Sequence, residues 1–309
     1  MSTIEKALAK QKQAEQDRKD NLEAAAVSNP QQKNNKVTAK VELEEQSITA
    51  PLVKEKDTTA LQANQNTIII NGESLDKRGF IFSPKSAHHI QEEFRHIKRK
   101  LLNNAFGPAS KTLRHSNLIM VTSSSANEGK TFISINLALS IALEQDKTVL
   151  LIDADVLRPS LHRELEFDLK KGLLEFLLDE VSSLSDIIYN TNIPNLKLIP
   201  AGKPHHLTNE LLASARMATL AEELAERYPD RIVIFDCPPI LGVTETPVLS
   251  SLVGQAIVVV EESKTKVDNV IKAVSQLDED IAIGLVMNKT VRSKKDEYGY
   301  YGYGYGKKN

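Results

Sequence analysis

The chain of 309 residues has no tryptophan and a single cysteine, Cys237. One cysteine excludes an internal disulfide and fits a reducing compartment. No apolar run approaches the roughly 18 residues that a membrane-spanning helix needs. Met1 to Lys19 is polar and charged, unlike a secretory signal. These absences lead us to expect a soluble, cytoplasmic protein, so that any work at a membrane would depend on a separate partner. Neither sign of charge dominates: 39 Lys and Arg stand against 41 Asp and Glu. Bulk charge therefore points neither to nucleic acid nor to a lipid surface. Adjacent histidines at His88-His89 and His205-His206 have no carboxylates at ligand spacing, so they read as surface residues.

What is present is organised around Ser123-Ser124-Ser125-Ala126-Asn127-Glu128-Gly129-Lys130-Thr131. An apolar run, Asn117–Thr122, precedes this stretch and a helical pattern, Phe132 to Leu143, follows it. Strand, loop ending in Gly-Lys-Thr, helix is the context that a phosphate-cradling P-loop requires. Successive N–H groups and the helix N-terminus would hold an anion. Lys130 would reach the β- and γ-phosphates, and the Thr131 hydroxyl would ligate Mg²⁺. Ser124 stands where G-x-x-x-x-G-K-[ST] has its first glycine. Taken alone, Gly-Lys-Thr is equally compatible with an ordinary helix start.

Residues 1–66 form a first region. Ser2-Thr3-Ile4-Glu5 is a capping-box pattern that opens a short helix running to about Ala26. Val27 to Asn66 is polar and aperiodic, a composition that cannot bury enough apolar area to offset its ordering entropy, and it reads as a linker. A globular domain is expected over 67–292. Thr67–Ile70 reads as a short strand, followed by a turn at Asn71-Gly72. Ser86 to Asn103 is helical in pattern, with Ile90, Phe94, Ile97 and Leu101 on one stripe. From Asn117 strands and helices alternate. The predicted strands are Asn117–Thr122, Thr148–Asp153, Leu196–Pro200, Arg231–Asp236, Gly254–Val260 and Ile281–Asn288. The predicted helices are Lys130–Glu144, Leu173–Leu178, Asn209–Arg227 and Val267–Leu277. Continuous apolar strands such as Val149-Leu150-Leu151-Ile152 indicate burial on both faces, hence an α/β fold with a parallel sheet between helices. Ligands then belong at the carboxyl ends of the strands.

Two of those ends carry carboxylates. Leu151-Ile152-Asp153-Ala154-Asp155 places two acids on the same side of a strand exit. One could hold a metal while the other accepts a proton from an attacking hydroxyl. Ile234-Phe235-Asp236-Cys237-Pro238-Pro239 closes an apolar run on one aspartate, as a Walker B strand does. Residues 293–309 differ from everything before them. Tyr298, Tyr300, Tyr301, Tyr303 and Tyr305 alternate with glycine, a pattern that reads as a flexible arm bearing phenols. A stacking arm for single-stranded nucleic acid would have the same aromatics but would usually be rich in arginine.

Over roughly residues 80–309 the set resembles the bacterial tyrosine kinases (BY-kinases), and the subgroup of stand-alone autokinases encoded with exopolysaccharide and exosortase-type systems in particular. Leu150 to His162 is similar to their Walker A′ motif, the 125–131 loop to their Walker A, and Ile234 to Pro239 to their Walker B. Glu92, Arg95 and Lys98 resemble their E-x-x-R-x-x-R oligomerisation helix, with lysine in the last place. Asn209-Glu210-Leu211-Leu212 resembles a further family segment that has lost its proline. The tyrosine-rich tail completes the likeness.

The resemblance implies a P-loop fold of the partitioning- and septum-site-ATPase branch, working with ATP and Mg²⁺. It assigns the nucleotide to Ser125, Ala126, Asn127, Glu128, Gly129, Lys130, Thr131 and Phe132, with Asn288 at the adenine. It gives the metal to Thr131, Asp153 and Asp236, leaves Asp153 as metal ligand or base, and places Asp155 beside the metal. The tail tyrosines become phosphoacceptors, modified in trans by a neighbouring subunit of a ring. The implied partners are other copies of the chain, a membrane-embedded polysaccharide chain-length regulator whose cytoplasmic segment activates it, and an opposing tyrosine phosphatase. Nucleic acid is not among them. Location is then cytoplasmic, peripheral at the inner membrane through the partner. The rival is a cargo-positioning ATPase of the same branch, which would carry an extra lysine early in its P-loop. No lysine lies between Ser116 and Glu128.

Overall fold

The computed structural model describes residues 66–82, 88–205, 208–227 and 230–291. The chain divides into two units, Met1–Thr59 and Ala60–Asn309, and every described residue lies in the second. The expected N-terminal helix, nearly all of the linker, and tail residues Tyr298, Tyr300, Tyr301, Tyr303 and Tyr305 fall outside the described residues.

The described residues build one eight-stranded sheet from β1 (Thr67–Ile68), β2 (Leu118–Ser123), β3 (Thr148–Asp153), β4 (Tyr189–Thr191), β5 (Leu196–Ile199), β6 (Arg231–Asp236), β7 (Gln255–Glu261) and β8 (Ala282–Asn288). Their order across the sheet is β1-β4-β5-β3-β6-β2-β7-β8. Neighbours run parallel, except β4 against β5. Every residue of β2 and β6 is buried, as unbroken apolar runs require when helices cover both faces of a sheet.

Nine α-helices are described: α1 (Gly72–Lys77), α2 (His88–Phe106), α3 (Lys130–Ala142), α4 (Leu161–Glu164), α5 (Leu173–Leu177), α6 (Thr208–Leu212), α7 (Ala215–Glu226), α8 (Thr246–Ser250) and α9 (Val267–Val274). Side chains alternate across the sheet. On one face Met120, Leu150, Ile152, Val233 and Phe235 meet Leu173 and Leu177 of α5 and Leu220 and Leu224 of α7. On the other, Val121, Leu151, Ile234 and Val259 meet Ile133 and Leu137 of α3, and Phe94 and Leu101 of α2 complete that layer. Burying Phe94 and Leu101 contributes about 1.5–3 kcal/mol each, which fixes α2 to the domain.

The predicted alternation holds, with strand ends within one residue of expectation from β2 onward, while the strand expected over Thr67–Ile70 ends two residues early, at Ile68. Asn71-Gly72, expected as a turn, starts a helix instead: Asn71 N-caps α1, its side chain accepting from Ser74 N–H. Asparagine serves both purposes, and the helix that follows decides which. The single helix expected over 209–227 is two, because Ser214 caps a new start by accepting from Met217 N–H. The antiparallel β4 and the short α4 and α8 leave too brief a pattern to be read from sequence.

Candidate active site

β2, β6 and β3 lie side by side at the centre of the sheet, and their carboxyl ends form the floor of the site. β2 passes into the Ser124–Gly129 loop and then into α3. Gly129 has φ +98, a left-handed turn that favours glycine, and it delivers Lys130 and Thr131 as the first residues of the helix. A Cβ at Gly129 would collide with the Asn288 side chain, so glycine is required there twice over. Lys130 is 8% exposed, and its Nζ lies 3.9 Å from Asp155 Oδ2.

β3 and β6 pair in register so that Asp153 stands level with Asp236. Asp236 is wholly buried and accepts from Thr131 Oγ1 at 2.7 Å and from Ser134 Oγ at 2.9 Å. Ser160 Oγ lies 2.6 Å from the same Thr131 oxygen. Asp153 accepts the N–H groups of Ser160 and Leu161 through Oδ2 at 3.2 and 3.1 Å. Its other oxygen, Oδ1, is buried without a hydrogen-bond partner. Burial, and then the neighbouring Asp236, push the Asp153 carboxyl well above the usual carboxylate range. Burial raises Asp236 to about 6 against the pull of Thr131 and Lys130. Burial also raises Asp155, opposed by Lys130 and by the Arg158 N–H that its Oδ1 accepts. Cys237 is buried beside them, its thiol pushed well up by burial and then by Asp236, so it stays protonated and inert.

Lys130, Thr131, Asp155 and Ser160 open on a cleft of about 750 Å³, while Asp153 and Asp236 are buried and do not line it. Lys130, Thr131 and Asp155 line one side, and Phe80, Arg158 and Pro239 line others. Ser125, Ala126, Asn127 and Phe132 also face it, whereas Glu128 does not. Asn288, expected at the adenine, instead donates from Nδ2 to the Glu128 carbonyl at 2.9 Å. Sequence reading missed Ser134, Ser160 and the Arg78–Phe80 wall. Ser134 had a faint signal, since it follows Thr131 by three positions on one helix and so shares its face. Phe80, from the turn after α1, packs on Phe132 with ring centroids 5.1 Å apart.

The three residues expected at an oligomer interface separate. Glu92 and Arg95 pair at 2.5 Å on the exposed side of α2. Lys98 departs from the expectation of a surface triad. It is 7% exposed, donates to the Ser140 carbonyl at 2.9 Å and pairs with Glu144 at 2.5 Å. Its long stem lies along the apolar stripe and its head satisfies the Ser140 carbonyl near the end of α3.

The donor set fits magnesium. Asp153, Asp236 and the Thr131 hydroxyl are hard oxygen donors, one of them a buried oxygen with no partner. Among the described residues no group of three or more His, Cys, Asp and Glu forms a metal cage. Magnesium does not need one, because it binds through one or two carboxylates and completes its shell with water and substrate phosphate.

Comparison with known proteins agrees with this geometry. A family model described as an AAA domain matches residues 116–287. The chain is 34% identical over 221 residues to tyrosine-protein kinase YwqD of Bacillus subtilis, spanning 71% of this chain and 88% of that one. It is 39% identical over 150 residues to tyrosine-protein kinase ptk of Acinetobacter johnsonii, of which it spans 20%. The crystallised kinase domain of the Escherichia coli tyrosine kinase ETK superposes with a TM-score of 0.58 at 26% identity, over 80% of this chain and 89% of that one.

Proposed function

The chain belongs to the bacterial tyrosine kinases, and on that premise we propose that it transfers the γ-phosphoryl group of ATP to tyrosines of its own tail. The observation that carries the proposal is the convergence of Lys130, Thr131, Asp153 and Asp236 at three adjacent strand ends, in a chain that carries five tyrosines between 298 and 305.

Catalysis of phosphoryl transfer is largely positioning and charge stabilisation. Lys130 neutralises the β- and γ-phosphates, and the loop N–H groups fix their orientation. Thr131, Asp153 and Asp236 would hold Mg²⁺, which when bound disperses the charge that develops on the phosphates. A phenol with a pKa near 10 is a weak nucleophile at neutral pH. Asp155 at the mouth of the cleft, or Asp153 where Thr131 and Asp236 alone hold the metal, accepts its proton as the new P–O bond forms, while ADP leaves with the electron pair of the broken bond. Burial makes both stronger proton acceptors than an exposed carboxylate.

The acceptors are Tyr298, Tyr300, Tyr301, Tyr303 and Tyr305 of a neighbouring copy. Glu92 and Arg95 on the exposed face of α2 support assembly of such copies, and assembly raises the local concentration of tails. Each phosphate adds about −1.5 to −2 charges, so a fully modified tail repels its neighbours and loosens the ring. We assign the chain to control of exopolysaccharide synthesis, under a membrane-embedded chain-length regulator and an opposing phosphatase. Among the described residues no helix is long and apolar enough to cross a membrane, which is in keeping with recruitment by such a partner.

Intact mass after incubation with Mg-ATP tests the proposal. Increments of one phosphate should appear, and should vanish in Lys130→Met and in a chain with all five tail tyrosines changed to phenylalanine. Hydrolysis of ATP with no gain in mass, even with the regulator's cytoplasmic segment present, would instead identify a cargo-positioning ATPase.

A further inference from the structure

A P-loop receives a polyanion, and a carboxylate within it is electrostatically misplaced unless its charge is engaged elsewhere. Glu128, the residue before Gly129, is such a carboxylate, and it is only 4% exposed. It is also the one residue of the 125–131 loop that does not face the cleft. Ser124 Oγ donates to its two oxygens at 2.9 and 3.2 Å. Ser125 N–H donates to Oε2 at 2.9 Å, and Thr265 Oγ1 to Oε1 at 2.5 Å. Thr265 accepts in turn from Glu261 N–H at 3.0 Å, which carries the brace to the end of β7.

The backbone of the same loop is held from β8. Asn288 Nδ2 donates to the Glu128 carbonyl, and Lys289 Nζ donates to the Asn127 carbonyl at 2.7 Å. Lys289 also pairs with Glu261 at 3.1 Å. Asn127 and Lys289 both have left-handed backbones, with φ +67 and +57, a conformation that persists in non-glycine residues only where the surroundings hold it. Side chains from two strand ends therefore secure a loop whose first glycine position is filled by Ser124.

We propose that Glu128, Thr265, Asn288 and Lys289 are positioning residues that keep the glycine-poor loop shaped for the triphosphate. The brace uses the Glu128 charge to bind the loop to β7, and the β8 contacts set how far the loop closes. Because β8 leads into the tail, the root of the substrate arm and the mouth of the nucleotide site form one hydrogen-bonded unit. Nucleotide binding on the loop should then be felt at Lys289, nine positions before Tyr298. The inference rests on the nucleotide site proposed above.

Binding of a fluorescent Mg-ADP to the full chain separates the two claims, since it needs no phosphoryl transfer. Glu128→Ala should weaken binding about tenfold, the loss expected for hydrogen bonds to a charged group. Glu128→Gln, which keeps the shape of the brace and one acceptor oxygen but not the charge, should recover part of that loss. Thr265→Val removes the brace from its far end without touching the loop, and should weaken binding several-fold. Combined with Glu128→Ala, it should add little, as for two ends of one interaction. In autophosphorylation the variants should raise the KM for ATP with kcat within about twofold, and Thr265→Val should melt closer to the parent than Glu128→Ala, which strips three buried donors of their acceptor. Parent-like affinity in both Glu128→Ala and Thr265→Val would overturn the proposal. So would equal losses in kcat and melting temperature with no recovery in Glu128→Gln, which would mark a general scaffold. A parent chain that fails to bind Mg-ADP at all would overturn the P-loop reading instead.

Discussion

Glu128 and Asp153 are both buried carboxylates of one site, 4% and 1% exposed, yet their surroundings differ sharply. Both oxygens of Glu128 accept hydrogen bonds, from Ser124, Ser125 and Thr265. Asp153 has one oxygen without a partner and stands level with a second acid, Asp236. Low dielectric strengthens a satisfied network and penalises an unsatisfied charge. The loop around Glu128 is thus held still, whereas the strand ends around Asp153 and Asp236 keep an excess of negative charge that a cation or a transferable proton relieves. Burial alone does not separate these two carboxylates; the oxygen of Asp153 left without a donor does.

The comparison breaks most visibly at the strand ends. Asp153→Asn should lower phosphoryl transfer by about a hundredfold or more, in the range for loss of a positioned acid or base, while Mg-ADP still binds. If Asp153→Asn transferred phosphate at the parent rate, the open oxygen would have no chemical role and the contrast with Glu128 would collapse.

A smaller effect follows from pH. Asp236 is raised to about 6 and Asp153 well above the ordinary value. A carboxyl whose folded pKa is raised favours the folded chain only while protonated. That contribution is complete below about pH 4, the unfolded value, and is lost as pH rises through 6 and beyond. In EDTA the melting temperature should therefore decline between pH 4 and 7 more steeply for the parent than for Asp236→Asn. Equal slopes would show that the pair is already ionised, like an exposed carboxylate. Added Mg²⁺ should offset the decline.

The smallest effects lie on α2, where Lys98 and Arg95 repeat the contrast between satisfied burial and exposure. Lys98→Ala leaves the Ser140 carbonyl without its buried donor and should cost about 1–3 kcal/mol in urea unfolding. Arg95→Ala breaks an exposed i,i+3 pair and should cost no more than about 0.5 kcal/mol. Its effect should appear in the oligomer distribution by light scattering. Comparable unfolding costs for the two would mean that Lys98 is not anchored as described.

Much of this was legible in sequence because the signals were long. β2, β3 and β6 are unbroken apolar runs ending at the P-loop or at an aspartate, so the sheet centre and its chemistry lay in the same few words. Short elements gave no period: β4 has three residues and α4 has four. Asn71 carried two meanings that only the following helix resolved. Lys98 matched a surface motif in spacing, while the apolar stripe beside it drew its stem inward. Glu128 was placed with the nucleotide, and its brace could not be read, since Thr265 lies 137 positions away and nothing local distinguishes a braced glutamate from a loose one.

The central claim, that one copy phosphorylates the tail of another, is tested most directly by mixing two chains. One carries Lys130→Met and an intact tail; the other is active and ends at Val291. After incubation with Mg-ATP and the regulator's cytoplasmic segment, intact mass should show phosphate on the Lys130→Met chain, mapped to Tyr298–Tyr305. A Lys130→Met chain that stays unmodified, while the untruncated parent phosphorylates itself under the same conditions, would contradict transfer in trans.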